Sequence, residues 1–314
     1  MKQFVYIAGS GHSGSTLLDR LLGSHPSISA LGEIHRFSLG LHRNEKPFMC
    51  DCGNSIIECF FWSEVITNLI ERLCISKNDF LKSFQTTNHD YLKFNSGDKY
   101  FNVDAKYKFY PNQLDKYLLG LSPDILLPVL EKLGLLKNHL QYARCSHLLF
   151  EAVSDVAETN TIVDSTKNPL RMRSLYLTKK RIMKIIYLKR DGRAVCNSRI
   201  QRQGVTMKKA AKIWVAENKK IRLILKYINN VNVYNLKYES LCNSPDKEMN
   251  KIFDFLELPH FDSRLCDDRH AIGGNPSRFN ESKKIVLDEK WQKKLSKQDL
   301  YIFDKFAGNE QHRL

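Results

Sequence analysis

Residues 4–22, FVYIAGSGHSGSTLLDRLL, set Gly9, Gly11 and Gly14 among the hydroxyls of Ser10, Ser13, Ser15 and Thr16. Glycines allow a tight turn whose backbone N–H groups point inward, and a helix start adds partial positive charge. Such a loop suits a phosphate-like anion. The elements that must position it flank it. Phe4 to Ala8 is a short apolar run rich in strand formers, and Leu17, Leu18, Leu21 and Leu22 recur at helical spacing after Ser15.

Gly9, Gly14 and Thr16 match the nucleotide pattern G-x-x-x-x-G-K-[ST], except that Ser15 stands in the lysine position. Phosphoryl transfer from ATP uses that lysine with magnesium to offset the β- and γ-phosphate charge. A terminal sulfuryl group carries less charge, so backbone amides and hydroxyls suffice to hold it. The loop resembles that of the PAPS-dependent sulfotransferases, which reads roughly [KR]-[ST]-G-[ST]-T after a first strand. Here the residues are His12-Ser13-Gly14-Ser15-Thr16, with His12 where that family usually has Lys or Arg. The resemblance implies that Gly11 to Thr16 hold the 5′-phosphosulfate.

A second resemblance follows the apolar run Ile182 to Leu188, which reads as a buried parallel strand. Lys189 to Ser198 is similar to the family signature R-[DN]-P-x-x-x-x-x-S, with Gly192 in place of proline. It implies that Arg190 and Ser198 grip a 3′-phosphate, for which an arginine fork is well shaped. Lys237-Tyr238-Glu239-Ser240-Leu241, with Pro245 after it, resembles the family's Y-E-x-L…P segment and implies a contact of Tyr238 with adenine. The glycine-rich stretch His270 to Phe279 resembles a late loop that closes over the 3′-phosphate, with Arg278 as its contact.

For catalysis, residues 25–36, HPSISALGEIHR, resemble a stretch of the tyrosylprotein and some bacterial sulfotransferases in which a glutamate is the proposed base. Carried over, that residue is Glu33. Partial desolvation at a strand end is expected to raise its pKa toward the range of a working base, the alternative being a surface carboxylate paired with Arg36 or His35. Lys167, just past the strand Thr161–Asp164, stands in a K-x-P context like that of the tyrosylprotein enzymes. It is the candidate for stabilising charge on the leaving oxygen. His12 joins it in that role, and an imidazole there implies a rate that falls as pH rises past its pKa.

The 314 residues carry 49 basic and 34 acidic side chains, a net charge of +15, which attracts an anionic cofactor or acceptor. No nucleic-acid signature accompanies the charge, so nucleic acid is not the expected partner. No apolar stretch reaches membrane-spanning length and no signal peptide opens the chain, so a cytoplasmic protein is expected. Of eight cysteines, Cys50, Cys52 and Cys59 are grouped, followed by Trp62. Their spacing lacks a fourth ligand and is not that of a zinc ribbon, so buried or paired structural cysteines are expected and no metal is assigned.

The expectation is therefore a single P-loop NTPase-like α/β domain over residues 1–314, a mainly parallel sheet flanked by helices. A largely helical insertion at about 42–157 is placed to bind the acceptor, with Tyr91, Tyr100, Tyr107, Phe109 and Tyr110 as pocket candidates. The implied activity is metal-independent transfer of a sulfonate from PAPS to a hydroxyl or amine of a small metabolite or carbohydrate, leaving PAP. A small-molecule P-loop kinase and a non-catalytic polyanion-binding module are the alternatives.

Overall fold

The computed structural model describes residues 1–45, 48–83, 118–120, 122, 126–265, 270–274 and 284–313. Its strands are β1 (Gln3–Gly9), β2 (Ile28–Ala30), β3 (Thr161–Asp164), β4 (Met183–Lys189) and β5 (Val233–Lys237). They form one sheet in the order β2-β3-β1-β4-β5, and every pairing is parallel. The described helices of six residues or more are α1 (Ser15–Leu22), α2 (Phe60–Leu73), α3 (Lys77–Ser83), α4 (Leu127–Lys132), α5 (Lys137–Val156), α6 (Pro169–Thr178), α7 (Gly192–Gln203), α8 (Met207–Leu225), α9 (Tyr238–Asn243), α10 (Pro245–Leu256) and α11 (Lys297–Gln311). None of them is long and apolar enough to cross a membrane.

The central strand explains the layering. Side chains alternate along a strand, so Phe4, Tyr6 and Ala8 enter one apolar cluster and Val5 and Ile7 enter another. The first cluster is completed by α2, α5 and α6, the second by α1 and α10. A strand buried on both faces has to read as a continuous apolar run, as β1 and β4 do.

The insertion divides differently from its periodicity. Residues 125–140 read as one helical stretch, but α4 and α5 are separate, with Gly134 (φ 74°) and Leu136 (φ 64°) in the left-handed region between them. From α5, Phe150 stacks on Phe4 of β1 at 4.7 Å, so this part of the insertion is core. The aromatic candidates at 91–110 lie outside the described residues.

The chain passes from β1 to the far edge through β2, returns to β3 beside β1, and then crosses to β4 on β1's other side. Open α/β sheets bind ligands where the order reverses in this way, at the carboxyl ends of the strands. The loops after β1, β2, β3 and β4 meet there.

Candidate active site

Each of those loops is locally determined. After β1, Gly14 (φ 94°) begins α1, and a Cβ at that position would lie 2.3 Å from the Tyr238 ring, so only glycine fits. After β3, the Asp164 carboxylate accepts the Thr166 backbone N–H at 2.8 Å and the Arg171 Nε–H at 3.0 Å, and Arg171 Nη1 donates to Ser146 at 3.0 Å. Asn168 then caps α6 by accepting from the amides of Leu170 and Arg171, with Pro169 at the first helical position. Between these anchors Lys167 is held at φ 69°. After β4, Asp191 caps α7, and its own N–H donates to Glu239 Oε1 at 2.9 Å, tying the ends of β4 and β5 together.

The sequence signature's proline position is explained by packing. A Cβ on Gly192 would lie 2.7 Å from ring atoms of both Trp214 and Phe303, and the Gly192 N–H donates to Gln311 Oε1 at 2.8 Å.

These loops enclose a cavity of about 520 Å³. Gly11, His12, Gly14, Ser15 and Thr16 line one side. Glu33 and Lys167 line another, and Arg190, Ser198 and Tyr238 close it. Ser13 is fully buried beneath the loop. Arg278 lies outside the described residues. Arg36, named from the sequence only as a partner for Glu33, also lines the cavity, as do Arg202, Asp288 and Lys290, which the sequence did not single out. Arg202 was findable, since it lies one helical turn beyond Ser198. Asp288 and Lys290 carried no signal of their own. A second hollow of about 680 Å³, lined by Leu127, Leu140 and His147 among others, shares none of these residues.

Glu33 donates its backbone N–H to Ile272 O at 2.6 Å, and its carboxylate accepts from Lys167 Nζ at 2.7 Å and Arg36 Nε at 2.9 Å. Lys167 Nζ also donates to Ser165 O at 3.0 Å. Burial by itself pushes the Glu33 carboxyl up, but Lys167, with His35 and Arg36, holds it well below the usual carboxylate range. The raised pKa expected from desolvation is thus overturned for the free protein, because two cations contact the same carboxylate.

His12 differs from expectation in the same way. Burial lowers its pKa to about 4, with the charges of Arg199, Arg202, Lys167 and Arg190 acting in the same sense. The imidazole is therefore neutral near pH 7 rather than a substitute cation. It adopts φ 67°, its carbonyl accepts from Arg190 Nη1 at 3.0 Å, and its Nδ1 lies 3.1 Å from Ser198 Oγ. His12 thus joins the glycine loop to the second signature.

Arg190 is buried, with its guanidinium 4.2 Å above the Tyr238 ring and its Nη2 donating to Asp288 Oδ2 at 3.2 Å. The Tyr238 ring is therefore packed between Gly14 and Arg190. Two buried polar atoms here, Ser13 Oγ and Arg190 Nε, have no hydrogen-bond partner among the described residues. Buried polar groups ordinarily have one, so these two are exceptions beside the cavity. Five cationic side chains, Arg36, Lys167, Arg190, Arg202 and Lys290, face the cavity against the carboxylates of Glu33 and Asp288.

A parallel sheet with a glycine loop after its central strand and a cation-lined cleft at the strands' carboxyl ends defines a P-loop NTPase-like α/β domain. The chain belongs to the sulfotransferase domain family, whose model matches residues 2–306. Among solved structures it is similar to the sulfotransferase domain of the Synechococcus PCC 7002 olefin synthase, at 19% identity over 96% of this chain and 94% of that one, with a TM-score of 0.49. It is also similar to the sulfotransferase domain from the curacin biosynthetic pathway, at 16% identity over 97% of each chain and a TM-score of 0.49. A sulfotransferase from Alicyclobacillus acidocaldarius shares 12% identity over 98% of each chain, with a TM-score of 0.38. No curated protein matches the chain.

The cysteine group gains a residue that its spacing did not include. Of the two alternatives expected, buried or paired, Cys50 and Cys59 are buried as free thiols, while Cys52 is exposed. The missing fourth donor is His270, distant in sequence and adjacent in the fold.

Proposed function

We propose that the protein transfers a sulfonate from PAPS to a hydroxyl or amine of a small metabolite or carbohydrate. The observation that carries this reading is the convergence of Arg190 and Ser198 with the Gly9–Thr16 loop on one cavity, while Ser15 occupies the position where an ATP user needs lysine. A second phosphate site distinguishes a PAPS user from an ATP user. When bound, PAPS supplies the sulfonate and leaves as PAP.

On this reading the loop amides, including that of Ser13, hold the 5′-phosphosulfate with the Ser15 and Thr16 side chains, which line the cavity. Arg190 and Ser198, which both line the cavity, hold the 3′-phosphate. Tyr238 keeps Arg190 in place from below and is a candidate for the adenine edge. The late loop with Arg278 is proposed to add a further contact.

Glu33 is proposed as the base. Lys167 suppresses its basicity in the free protein, and Lys167 is also the cation best placed to turn toward a sulfonate in the loop. When Lys167 shifts its hydrogen bond to the donor's oxygens, Glu33 loses its strongest charge partner and its proton affinity rises where the acceptor's proton is to be taken. Lys167 then stabilises charge on the leaving oxygen. His12, neutral, is proposed to donate its Nδ1–H to Ser198 Oγ, which leaves the Ser198 hydroxyl proton for the 3′-phosphate. The stretch at about 42–157 is proposed to contribute the acceptor pocket, in a cytoplasmic setting.

The test compares thermal stabilisation by PAP, Mg-ATP and a heparin-like polyanion, followed by transfer of labelled sulfonate from PAPS to a panel of hydroxyl and amine acceptors. Stabilisation by PAP together with labelled product is the expected result. Stabilisation by Mg-ATP but not by PAP overturns the reading in favour of a kinase, and polyanion binding without turnover overturns it in favour of a binding module.

A further inference from the structure

Outside the cleft, Cys50, Cys52, Cys59 and His270 each offer one donor atom, and the four donors lie within 4.8 Å of one another. Cys59 Sγ is 3.6 Å from Cys50 Sγ, and His270 Nδ1 is 3.5 Å from Cys50 Sγ and 3.3 Å from Cys59 Sγ. Tetrahedral zinc with bonds of about 2.3 Å to sulfur and 2.0–2.1 Å to nitrogen spaces its ligand atoms about 3.6–3.8 Å apart. The three separations among Cys50, Cys59 and His270 are close to those edges, Cys52 lies within 4.8 Å of the other donors, and a disulfide needs a far shorter contact of about 2.05 Å.

The surrounding backbone is arranged to hold these donors. Gly53, at φ 86°, returns its N–H to Cys50 O at 3.0 Å, which folds the C-x-C-G segment back on itself. Cys59 caps α2, whose N-terminal partial charge favours a thiolate. The His270 ring is stacked on Phe61 at 4.6 Å and 11°, and its carbonyl accepts from Trp62 Nε1 at 2.9 Å. Cys50, Cys59 and His270 are thus each fixed by a contact that owes nothing to a metal, and Cys52 follows from the turn that Gly53 closes.

We infer that Cys50, Cys52, Cys59 and His270 form a closed structural site for one zinc ion. Four protein ligands leave no open position, as in zinc sites that stabilise a fold rather than activate a substrate. Zn²⁺ takes the three sulfurs as thiolates, releasing their protons, and the imidazole as its neutral form.

The site has a mechanical role. Cys50 forms an antiparallel bridge with Ile272, and Asp51 N donates to Ala271 O at 3.0 Å. Ile272 N donates to Leu31 O at 3.0 Å, and Ile272 O accepts from Glu33 N at 2.6 Å. Two residues further on, Gly274 lines the cleft beside Thr16. Zinc would therefore fasten the 270–274 strap that supports the Glu33 backbone and forms one wall of the cavity. The site needs no particular assignment of the reaction, and metal content is read without turnover.

The full chain, purified under reducing conditions without chelator, is expected to contain about one zinc per molecule by elemental mass spectrometry. Cys52→Ser changes the exposed ligand and is the variant least disruptive to the core. It should lose most of the metal, whereas Cys74→Ser should retain all of it. Refolding with Co²⁺ alone should produce the intense visible absorption of a tetrahedral thiolate complex in the parent and not in Cys59→Ser. Chelation should lower the melting temperature of the parent and leave that of Cys52→Ser unchanged. A parent protein that is metal-free and stays so after refolding with Zn²⁺ alone overturns the inference. So does equal metal retention in Cys52→Ser and the parent, or isolation of a Cys50–Cys59 disulfide as the native form.

Discussion

Replacing Lys167 by methionine removes the ammonium 2.7 Å from Glu33 Oε1 while nearly preserving side-chain length. Each of the two side chains is only 14% exposed, so water screens the pair weakly. An opposite charge this close lowers a carboxyl pKa by about 1–3 units. At about 1.4 kcal/mol per unit, Lys167 contributes roughly 1–4 kcal/mol toward keeping Glu33 ionised. Arg36 remains 2.9 Å from the other oxygen, so Lys167→Met should raise the Glu33 midpoint by at least about one unit without releasing it fully. The measurement is a carbon-detected NMR titration of side-chain carboxyls in the full chain, with Glu33→Gln assigning the resonance. Stability supplies a second readout. A carboxylate whose folded pKa is depressed adds stability that is fully present above its unfolded pKa, about 4.3, and is lost as pH falls through the folded midpoint. The stability gap between parent and Lys167→Met should therefore narrow as pH drops below about 4.3. A Glu33 midpoint that stays in place after Lys167→Met refutes the claim that Lys167 controls its basicity.

Arg190→Ala should weaken PAP binding by about 10–150-fold, from the loss of at least one charge-assisted hydrogen bond worth about 1.5–3 kcal/mol, and calorimetry showing unchanged affinity would remove Arg190 from the donor site. The His12 midpoint should lie near pH 4 in the free protein by proton NMR. Because kcat/KM reports groups of the free enzyme, its pH profile between about 6 and 8 should keep its shape in His12→Asn, and loss of a limb there would show that the imidazole is charged after all. Arg171→Met leaves the buried Asp164 without its cation and should cost about 3–5 kcal/mol in denaturant unfolding, with a loss under about 1 kcal/mol counting against a structural role for the pair.

Much of the fold is legible in the chain because strands buried on both faces read as apolar runs, as in Phe4 to Ala8 and in Ile182 to Leu188, which only Lys184 interrupts. The glycine loop and the Arg190–Ser198 pair are legible because turns and helical spacing are local properties. Charge balance is not local. Glu33 reads as a desolvated carboxylate until the fold brings Lys167 onto it from 134 positions away, and the resulting attraction reverses the sign of its shift. His12 reads as a stand-in for a cation, although burial, and then the cations that would share its anion, suppress its charge. The fourth ligand of the cysteine group was invisible for the same reason, since His270 follows Cys59 by 211 positions and meets it only through the strap beside β2. The break between α4 and α5 was hidden because Leu136, an apolar residue in helical register, adopts the left-handed conformation that a pattern of apolar positions does not record.

The glycine at 192 has a consequence for engineering. Restoring the family's customary proline would strike two rings and delete the N–H that Gln311 accepts, so the substitution is closed on the present background. Gly192, Trp214, Phe303 and Gln311 form an epistatic set: proline becomes admissible only after the aromatic pair has been cut back and the glutamine relieved of its partner. A consensus library that samples position 192 alone will discard proline there, whereas one that varies all four positions together can recover it.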